Sequence, residues 1–293
     1  MLSVLIPVYN YPIFNLVQEL YNQLVQENVS YEILILDDGS SLYVQENEKV
    51  NQFLNCTYIK NKKNCGRAKT INTLFKQAKG THCLILEADA FPENNSYIKN
   101  YITYLNDNEN IVFGGVKYKI EKPENNKLLR WKYGHKREHK NLQQRQKDSY
   151  NFVFTWNLLV PKNLTDKYNF DESIITYGFE DFLLIKNLQK NKINILHIEN
   201  YCVHNTEDTS YNCLIKSETS IKNLKKLVSE KKLSPNDSNF LKIVHYINKF
   251  KINIIIKPLF ILTKSLLQKI LCSKYTNLFI FDVYRMGYYT TLK

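Results

Sequence analysis

Ile33-Leu34-Ile35-Leu36-Asp37-Asp38-Gly39-Ser40 is a run of four aliphatic residues that ends in two acids and a glycine turn. The pattern returns at Cys83-Leu84-Ile85-Leu86, which runs into Glu87-Ala88-Asp89. Consecutive aliphatics without alternation predict strands buried on both faces, as in a parallel sheet covered by helices. Acids at the carboxyl ends of such strands lie in the crevice where open α/β sheets bind ligands. Two acidic tips there suit a partner rich in hydroxyls, or a hard cation carrying phosphates. They point to a nucleotide-sugar site.

Outward from these runs the chain alternates. A strand is predicted over Ser3–Val8, an amphipathic helix near Ile13–Glu27, the acid-tipped strand Glu32–Leu36 and a helical stretch around Leu42–Phe53. Thr57–Ile59 reads as a strand, Arg67–Lys79 as a helix closed by Gly80, and Cys83–Leu86 as the second acid-tipped strand. Strand–helix alternation with short connections predicts a parallel α/β sheet. Further strands are expected at Ile111–Lys119, broken by Gly114-Gly115, at Phe152–Val160 and at Ile193–Ile198. A helix is expected over Leu183–Asn191, and from Tyr211 onward the pattern is mainly helical.

The chain of 293 residues carries 44% hydrophobic residues and a formal net charge of +12. Its six cysteines lack CxxC spacing, which fits small buried thiols in a reducing cytoplasm. Met1-Leu2-Ser3-Val4-Leu5-Ile6-Pro7 reads as a strand rather than a secretory leader, and no run of about 18 uncharged apolar residues predicts a membrane span. The charge is unevenly placed: residues 117–147 hold eleven Lys/Arg against three acids, and residues 222–293 hold fourteen against three. The rest is therefore net acidic. An acidic body with two basic segments predicts a polyanionic partner for those segments, such as anionic lipid or a diphosphate-linked substrate.

Five motifs stand in order: Ser3-Val4-Leu5-Ile6-Pro7-Val8-Tyr9-Asn10, Asp37-Asp38-Gly39-Ser40, Asn64-Cys65-Gly66-Arg67-Ala68, Glu87-Ala88-Asp89 and Tyr177-Gly178-Phe179-Glu180-Asp181. Together they resemble the family 2 glycosyltransferases of the GT-A fold over roughly residues 1–205. The resemblance implies a Rossmann-like, mostly parallel sheet flanked by helices, with residues 206–293 as a helical C-terminal appendage and residues 117–150 as a basic flap or acceptor segment. It implies a bacterial inverting enzyme that moves a hexosyl or N-acetylhexosaminyl group from a nucleotide sugar, a UDP-sugar first. The acceptor is a hydroxyl of a glycan or lipid-linked saccharide in surface polysaccharide synthesis.

The same resemblance implies roles for single residues. Pro7, Tyr9 and Asn10 lie beside the nucleotide base, and Asp38 meets the uracil or ribose; an Asp-Gly turn also serves simply to reverse a chain. Asn64 and Arg67 orient the donor. A cation at a helix start opposes the helix dipole, which favours an anionic contact for Arg67. Glu87-Ala88-Asp89 stands where the family carries its Asp-x-Asp metal motif, with Glu in place of the first Asp. Asp89 is then a ligand of Mn²⁺ or Mg²⁺, Glu87 serves the ribose or supports the metal, and Ala88 between them lies on the substrate side. Gly178 and Glu180 belong to the substrate side, and Asp181 is the general base; two acids also favour the first turn of any helix. His204 is a second metal ligand or a loop histidine. Trp156 and Asn157 lie beneath the sugar, although a strand tryptophan is as often core.

Two segments have less specific readings. Leu129-Arg130-Trp131-Lys132-Tyr133-Gly134-His135-Lys136-Arg137-Glu138 interleaves aromatics with cations, as a flap over the diphosphate or as a solvated helix. Near the carboxyl end Pro258 is expected to open a helix. Lys264, Ser265, Gln268 and Lys269 fall on one side of it, and Leu259, Phe260, Leu266, Leu267 and Ile270 on the other. A basic amphipathic helix predicts an anionic membrane surface as partner and a peripheral place on the inner face of the cell membrane, unless it packs on the domain. The rival classes are a non-catalytic saccharide- or nucleotide-sugar-binding protein on the same fold and a nucleic-acid binder. Neither accounts for acids in the sheet crevice, and no nucleic acid is expected.

Overall fold

Leu2–Val8 (β1) and Tyr31–Asp37 (β2) run parallel, with Leu5 beside Leu34 and Val8 beside Asp37. Both are buried along nearly their whole length, as unbroken aliphatic runs require. Cys56–Lys60 (β3) adds to the far side of β2, and His82–Leu86 (β4) adds to β1, again in parallel. The computed structural model describes residues 1–205 and 208–292; the boundary expected at residue 206, and Lys293, lie outside them.

Ala90–Pro92 (β5), Ile111–Phe113 (β6), Val116–Tyr118 (β7), Asn157–Pro161 (β8), Ile195–His197 (β9) and Cys202–His204 (β10) complete the strands. The main sheet has the order β3-β2-β1-β4-β8-β6-β9, and a small second sheet the order β5-β10-β7. Only β8 runs against its neighbours in the main sheet, so the architecture is a mostly parallel sheet flanked by helices. Helix Phe14–Leu24 turns Leu16, Val17, Leu20 and Leu24 into the core, and helix Arg67–Gln77 turns Ile71, Leu74 and Phe75 into it.

Two sequence expectations change here. The strand expected over Ile111–Lys119 is two strands in two different sheets, because Gly114-Gly115 breaks it. Gly115 has φ +92°, and a Cβ there would lie 2.8 Å from the Arg145 guanidinium. Such a turn is open to glycine and strains other residues. The strand expected over Phe152–Val160 shortens to Asn157–Pro161. Phe152 has φ +59°, and Asp148 caps the preceding turn by accepting from Tyr150 N at 3.0 Å.

Met1–Lys119, Glu138–Ile175 and Glu180–Thr206 form one compact unit, and Ile120–Arg137, Thr176–Phe179 and Glu207–Lys293 form a second. The second unit is helical. Its long helices are Ser210–Ser229, Asn239–Lys249, Asn253–Leu271 and Leu278–Thr291. Three begin at a side-chain cap: Thr209 accepts from Asn212 N, Ser238 from Leu241 N and Asn277 from Phe279 N. Leu214, Ile221, Phe260, Phe281 and Tyr284 form its core. Pro258 lies inside a helix rather than opening one. Lys251, at φ +55°, ends the preceding helix, and Asn253 already starts the next.

Candidate active site

β1, β2 and β4 point their carboxyl ends to one edge of the sheet, where Asp37 ends β2, Asp38 follows it and Glu87 follows β4. Asp37 is fully buried; its Oδ1 accepts from Ser40 N at 2.6 Å and its Oδ2 from Tyr58 Oη at 2.5 Å. Burial and this carboxylate both push the Tyr58 phenol far above its usual range. Asp38 is only 4% exposed. Its Oδ1 accepts from Cys65 N at 2.8 Å and Asn61 Nδ2 at 3.1 Å, and its Oδ2 from Gly66 N at 2.8 Å. One carboxylate thus gathers the whole 61–66 loop. Gly39 allows that approach: at φ +80°, its Cβ would sit 2.7 Å from Asn64 N.

Pro7 is buried within β1, whereas Tyr9, just past its end, is 54% exposed. Asn10, at φ +51°, clamps the acidic turn. Its N–H donates to Ser40 Oγ at 2.7 Å, and its Oδ1 accepts from Ser41 N at 2.9 Å and Leu42 N at 3.1 Å. Asn64 is exposed and accepts from Gly66 N at 3.1 Å.

Arg67 is the hub. It starts the helix Arg67–Gln77, where a cation opposes the dipole, and it reaches back into a nest of acids. Its Nε donates to Glu87 Oε1 at 2.5 Å, and Nη2 pairs with the same carboxylate. Nη1 donates to Asp181 Oδ1 at 2.6 Å and lies 3.7 Å from Glu180 Oε1. Nη2 also donates to Thr155 Oγ1 at 2.9 Å. Thr155 in turn donates its hydroxyl to Asp181 Oδ1 at 2.5 Å and its backbone N–H to Oδ2 at 3.3 Å. One guanidinium therefore serves three carboxylates, leaving the cluster net acidic.

The surroundings shift these groups. Burial first, and then the neighbouring Asp181, push Glu180 up to about 7 against the pull of Arg67. Burial also raises Glu87, again opposed by Arg67. The three carboxylates together hold Arg67 firmly protonated. Glu180 and Asp181 occupy the first turn of helix Glu180–Lys190, where the dipole favours negative charge.

Asp89 and His204 meet through the small sheet. β5 pairs antiparallel with β10 so that Ala90 lies opposite His204, and Asn205 N donates to Asp89 O at 2.7 Å. Asp89 Oδ2 and His204 Nε2 are then 3.4 Å apart. One carboxylate oxygen and one imidazole nitrogen at that separation fit adjacent ligands of a single divalent ion, which stand about 3 Å apart when each bond is about 2.1 Å. Among the described residues, no group of three or more His, Cys, Asp or Glu is arranged to hold a metal. Tyr118, opposite His204 across β7 and β10, stacks on its ring at 5.4 Å, and Trp156 meets it edge-on at 5.1 Å.

The remaining predicted residues divide. Ala88 is half-buried against the core. Trp156 is buried, and Asn157 wholly so. Asn157 Oδ1 accepts from Tyr97 Oη at 2.7 Å and Tyr101 Oη at 2.8 Å, while Nδ2 donates to Gly115 O at 2.6 Å and Asn200 O at 2.9 Å. All four bonding positions of its amide are taken, so Asn157 is a framework residue rather than part of an open surface. Gly178 belongs to the helical unit, where it lies against Ser220 at φ +105°. Sequence reasoning passed over Thr155 and Tyr118. For Thr155 the available signal was its place directly before Trp156-Asn157; Tyr118 had none, because only strand pairing brings it to His204.

The sequence matches glycosyl transferase family 2 over residues 3–168, more than half of the chain. No curated protein matches it in sequence. Among solved structures, S. aureus TarS is 20% identical with a TM-score of 0.50, over 76% of this chain and 39% of TarS. The mannosyltransferase PcManGT from Pyrobaculum calidifontis, solved in complex with GDP-Man and Mn²⁺, is 15% identical with a TM-score of 0.53, over 78% of this chain and 64% of that one. The chain thus spans about two fifths of the first structure and under two thirds of the second. At these identities the likeness is one of fold. The sheet, its acidic carboxyl edge and the match over residues 3–168 together lead to one statement: the chain belongs to glycosyl transferase family 2.

Proposed function

We propose that this chain is an inverting glycosyltransferase that moves a sugar from a nucleotide donor, a UDP-sugar first, to a hydroxyl of a glycan or lipid-linked saccharide at the inner face of a cell membrane. The observation that carries the chemistry is Asp181. It accepts from Arg67 Nη1 at 2.6 Å and Thr155 Oγ1 at 2.5 Å, and these donors fix the orientation of a carboxylate that, as general base, must stand within hydrogen-bond reach of the acceptor hydroxyl. Glu180, beside it and raised by burial, suits a hydroxyl contact.

In the proposed displacement the acceptor oxygen bonds to the anomeric carbon and its proton passes to Asp181. The bond from that carbon to the diphosphate oxygen breaks on the opposite face. Tyr9, exposed just past β1, and Asp38, just past β2 and holding the 61–66 loop, are assigned to the nucleoside side. Arg67 would turn its guanidinium to the donor's anionic groups only by giving up one of its contacts to Glu87, Glu180, Asp181 or Thr155. Asp89 and His204 would hold Mn²⁺ or Mg²⁺, which when bound neutralises charge on the departing diphosphate. The Mn²⁺ in the PcManGT complex supports including metal in the assay, and its GDP-Man supports adding that donor to the panel.

The test is transfer or donor hydrolysis with a panel of UDP- and GDP-sugars, with and without Mn²⁺. Asp181→Asn is expected to lower turnover about 10²- to 10⁴-fold with donor affinity retained. Failure to bind any donor with metal present ends the whole reading. Wild-type turnover by Asp181→Asn ends only the base assignment, and donor binding without turnover would favour a saccharide-binding role.

A further inference from the structure

Between Ser238 and Phe281 the chain carries seven lysines and no Asp or Glu. Within this stretch the helices Asn239–Lys249 and Asn253–Leu271 bury one side each in the helical unit, through Leu241, Val244 and Ile247 on the first and Phe260 and Leu271 on the second. A surface helix ordinarily turns polar residues the other way. Here the second helix turns out Ile254, Ile255, Leu259, Ile261 and Leu262, the last 83% exposed. At 100° per residue these fall in one sector, away from Phe260. The sequence expectation of one apolar side shared by Leu259, Phe260 and Leu266 is corrected: Phe260 faces the core, while Leu259 and Leu266 face outward. On the first helix Ile243 and Tyr246 are exposed, and the Tyr246 ring stacks on exposed Phe250 with centroids 6.5 Å apart.

We infer that this face lies on an anionic lipid bilayer surface, its apolar sector sunk among the acyl-chain ends and its exposed lysines, Lys249, Lys251, Lys257 and Lys269, among the headgroups, while Lys264 turns inward to pair with Glu218 at 2.9 Å. A helix apolar on both sides needs cover on both. No described helix is long and apolar enough to cross a membrane, so the cover is an interface rather than a span. The charge selects the occupant. A second copy docked through this face would bring the same exposed lysines, Lys249, Lys251, Lys257 and Lys269, and no acid from the Ser238–Phe281 stretch, which opposes self-association here. An anionic bilayer answers both features at once: lysine stems run along apolar surface while their ammonium groups reach phosphates. The inference gives residues to the membrane part of the proposed function and does not depend on glycosyl transfer.

The full chain is sedimented with vesicles of phosphatidylglycerol and phosphatidylcholine in equal parts, and with phosphatidylcholine alone. Binding is expected to the anionic vesicles, weakened by salt. Ile255→Ser with Leu262→Ser should weaken it at least about tenfold for each lost side chain. Replacing Lys249, Lys251 and Lys257 by Gln should lower the anionic preference about fivefold per charge. These positions are exposed, so unchanged thermal unfolding shows that the variants remain folded. No sedimentation with either vesicle overturns the inference, as does undiminished binding by the folded serine variant. A dimer that the serine variant dissociates, with no vesicle binding, overturns it in favour of a second copy. Activity on soluble donors and acceptors is measured separately, so failure here leaves the transfer reaction standing.

Discussion

Replacing Arg67 by Met removes the cation that contacts Glu87, Glu180 and Asp181 while keeping an unbranched, flexible stem. The four side chains are 21%, 22%, 8% and 24% exposed, so the cluster is largely withdrawn from solvent. Removing one member of a buried ion pair costs about 3–5 kcal/mol, because the partner's charge is left uncompensated. At pH 8 a carboxyl of ordinary pKa near 4.3 escapes this loss by taking a proton only at a cost of about 5 kcal/mol, so the full loss is expected there. At pH 5 the same protonation costs only about 1 kcal/mol. Arg67→Met is therefore expected to lose about 4 kcal/mol of stability at pH 8 and about 1–2 kcal/mol at pH 5. Urea unfolding read by Trp156 fluorescence reports on this unit, provided that Trp131, the only other tryptophan, is first replaced by Phe. A loss below about 1 kcal/mol at pH 8, or one equal at both pH values, would refute the picture of Arg67 as the counter-charge of the acidic nest.

Three further outcomes follow from the same geometry. Glu180, at about 7 in the folded chain against an ordinary 4.5, contributes most below pH 4.5, and that contribution is lost as pH rises through 7. Glu180→Gln should thus match wild type near pH 4.5 and exceed it by about 3 kcal/mol at pH 8; a pH-independent difference in denaturant midpoints would contradict this. Tyr58→Phe strips a donor from the fully buried Asp37 carboxylate and should cost about 1–3 kcal/mol, checked by thermal unfolding. Asn157→Leu takes a hydrogen bond from each of Tyr97, Tyr101, Gly115 and Asn200, and a loss under about 2 kcal/mol in urea would show that these groups repair themselves.

The sequence by itself determined the parallel half of the sheet. Unbroken aliphatic runs such as Ile33–Leu36 have only one stable home, between two layers of helices, and the acids that follow must emerge at the carboxyl edge. The five ordered motifs likewise carried the family. Tertiary structure alone decided what each polar atom faces. Arg67 at a helix start read as a cation in want of an anion, but Asp181 stands 114 positions on, and only the fold makes that acid its partner. Gly114-Gly115 read as a break, yet only the pairing of Val116–Tyr118 with Cys202–His204 sent the two halves to different sheets and brought Tyr118 to His204. The family resemblance set Asn157 beneath the sugar, and only the fold shows its amide bonded to Tyr97, Tyr101, Gly115 and Asn200. In the helical unit, Phe260 and Leu262 are both apolar and two residues apart, and nothing in their chemistry says which one the core will take. Periodicity shows that a helix has faces, but only the surface it packs against decides which face is left to meet something else.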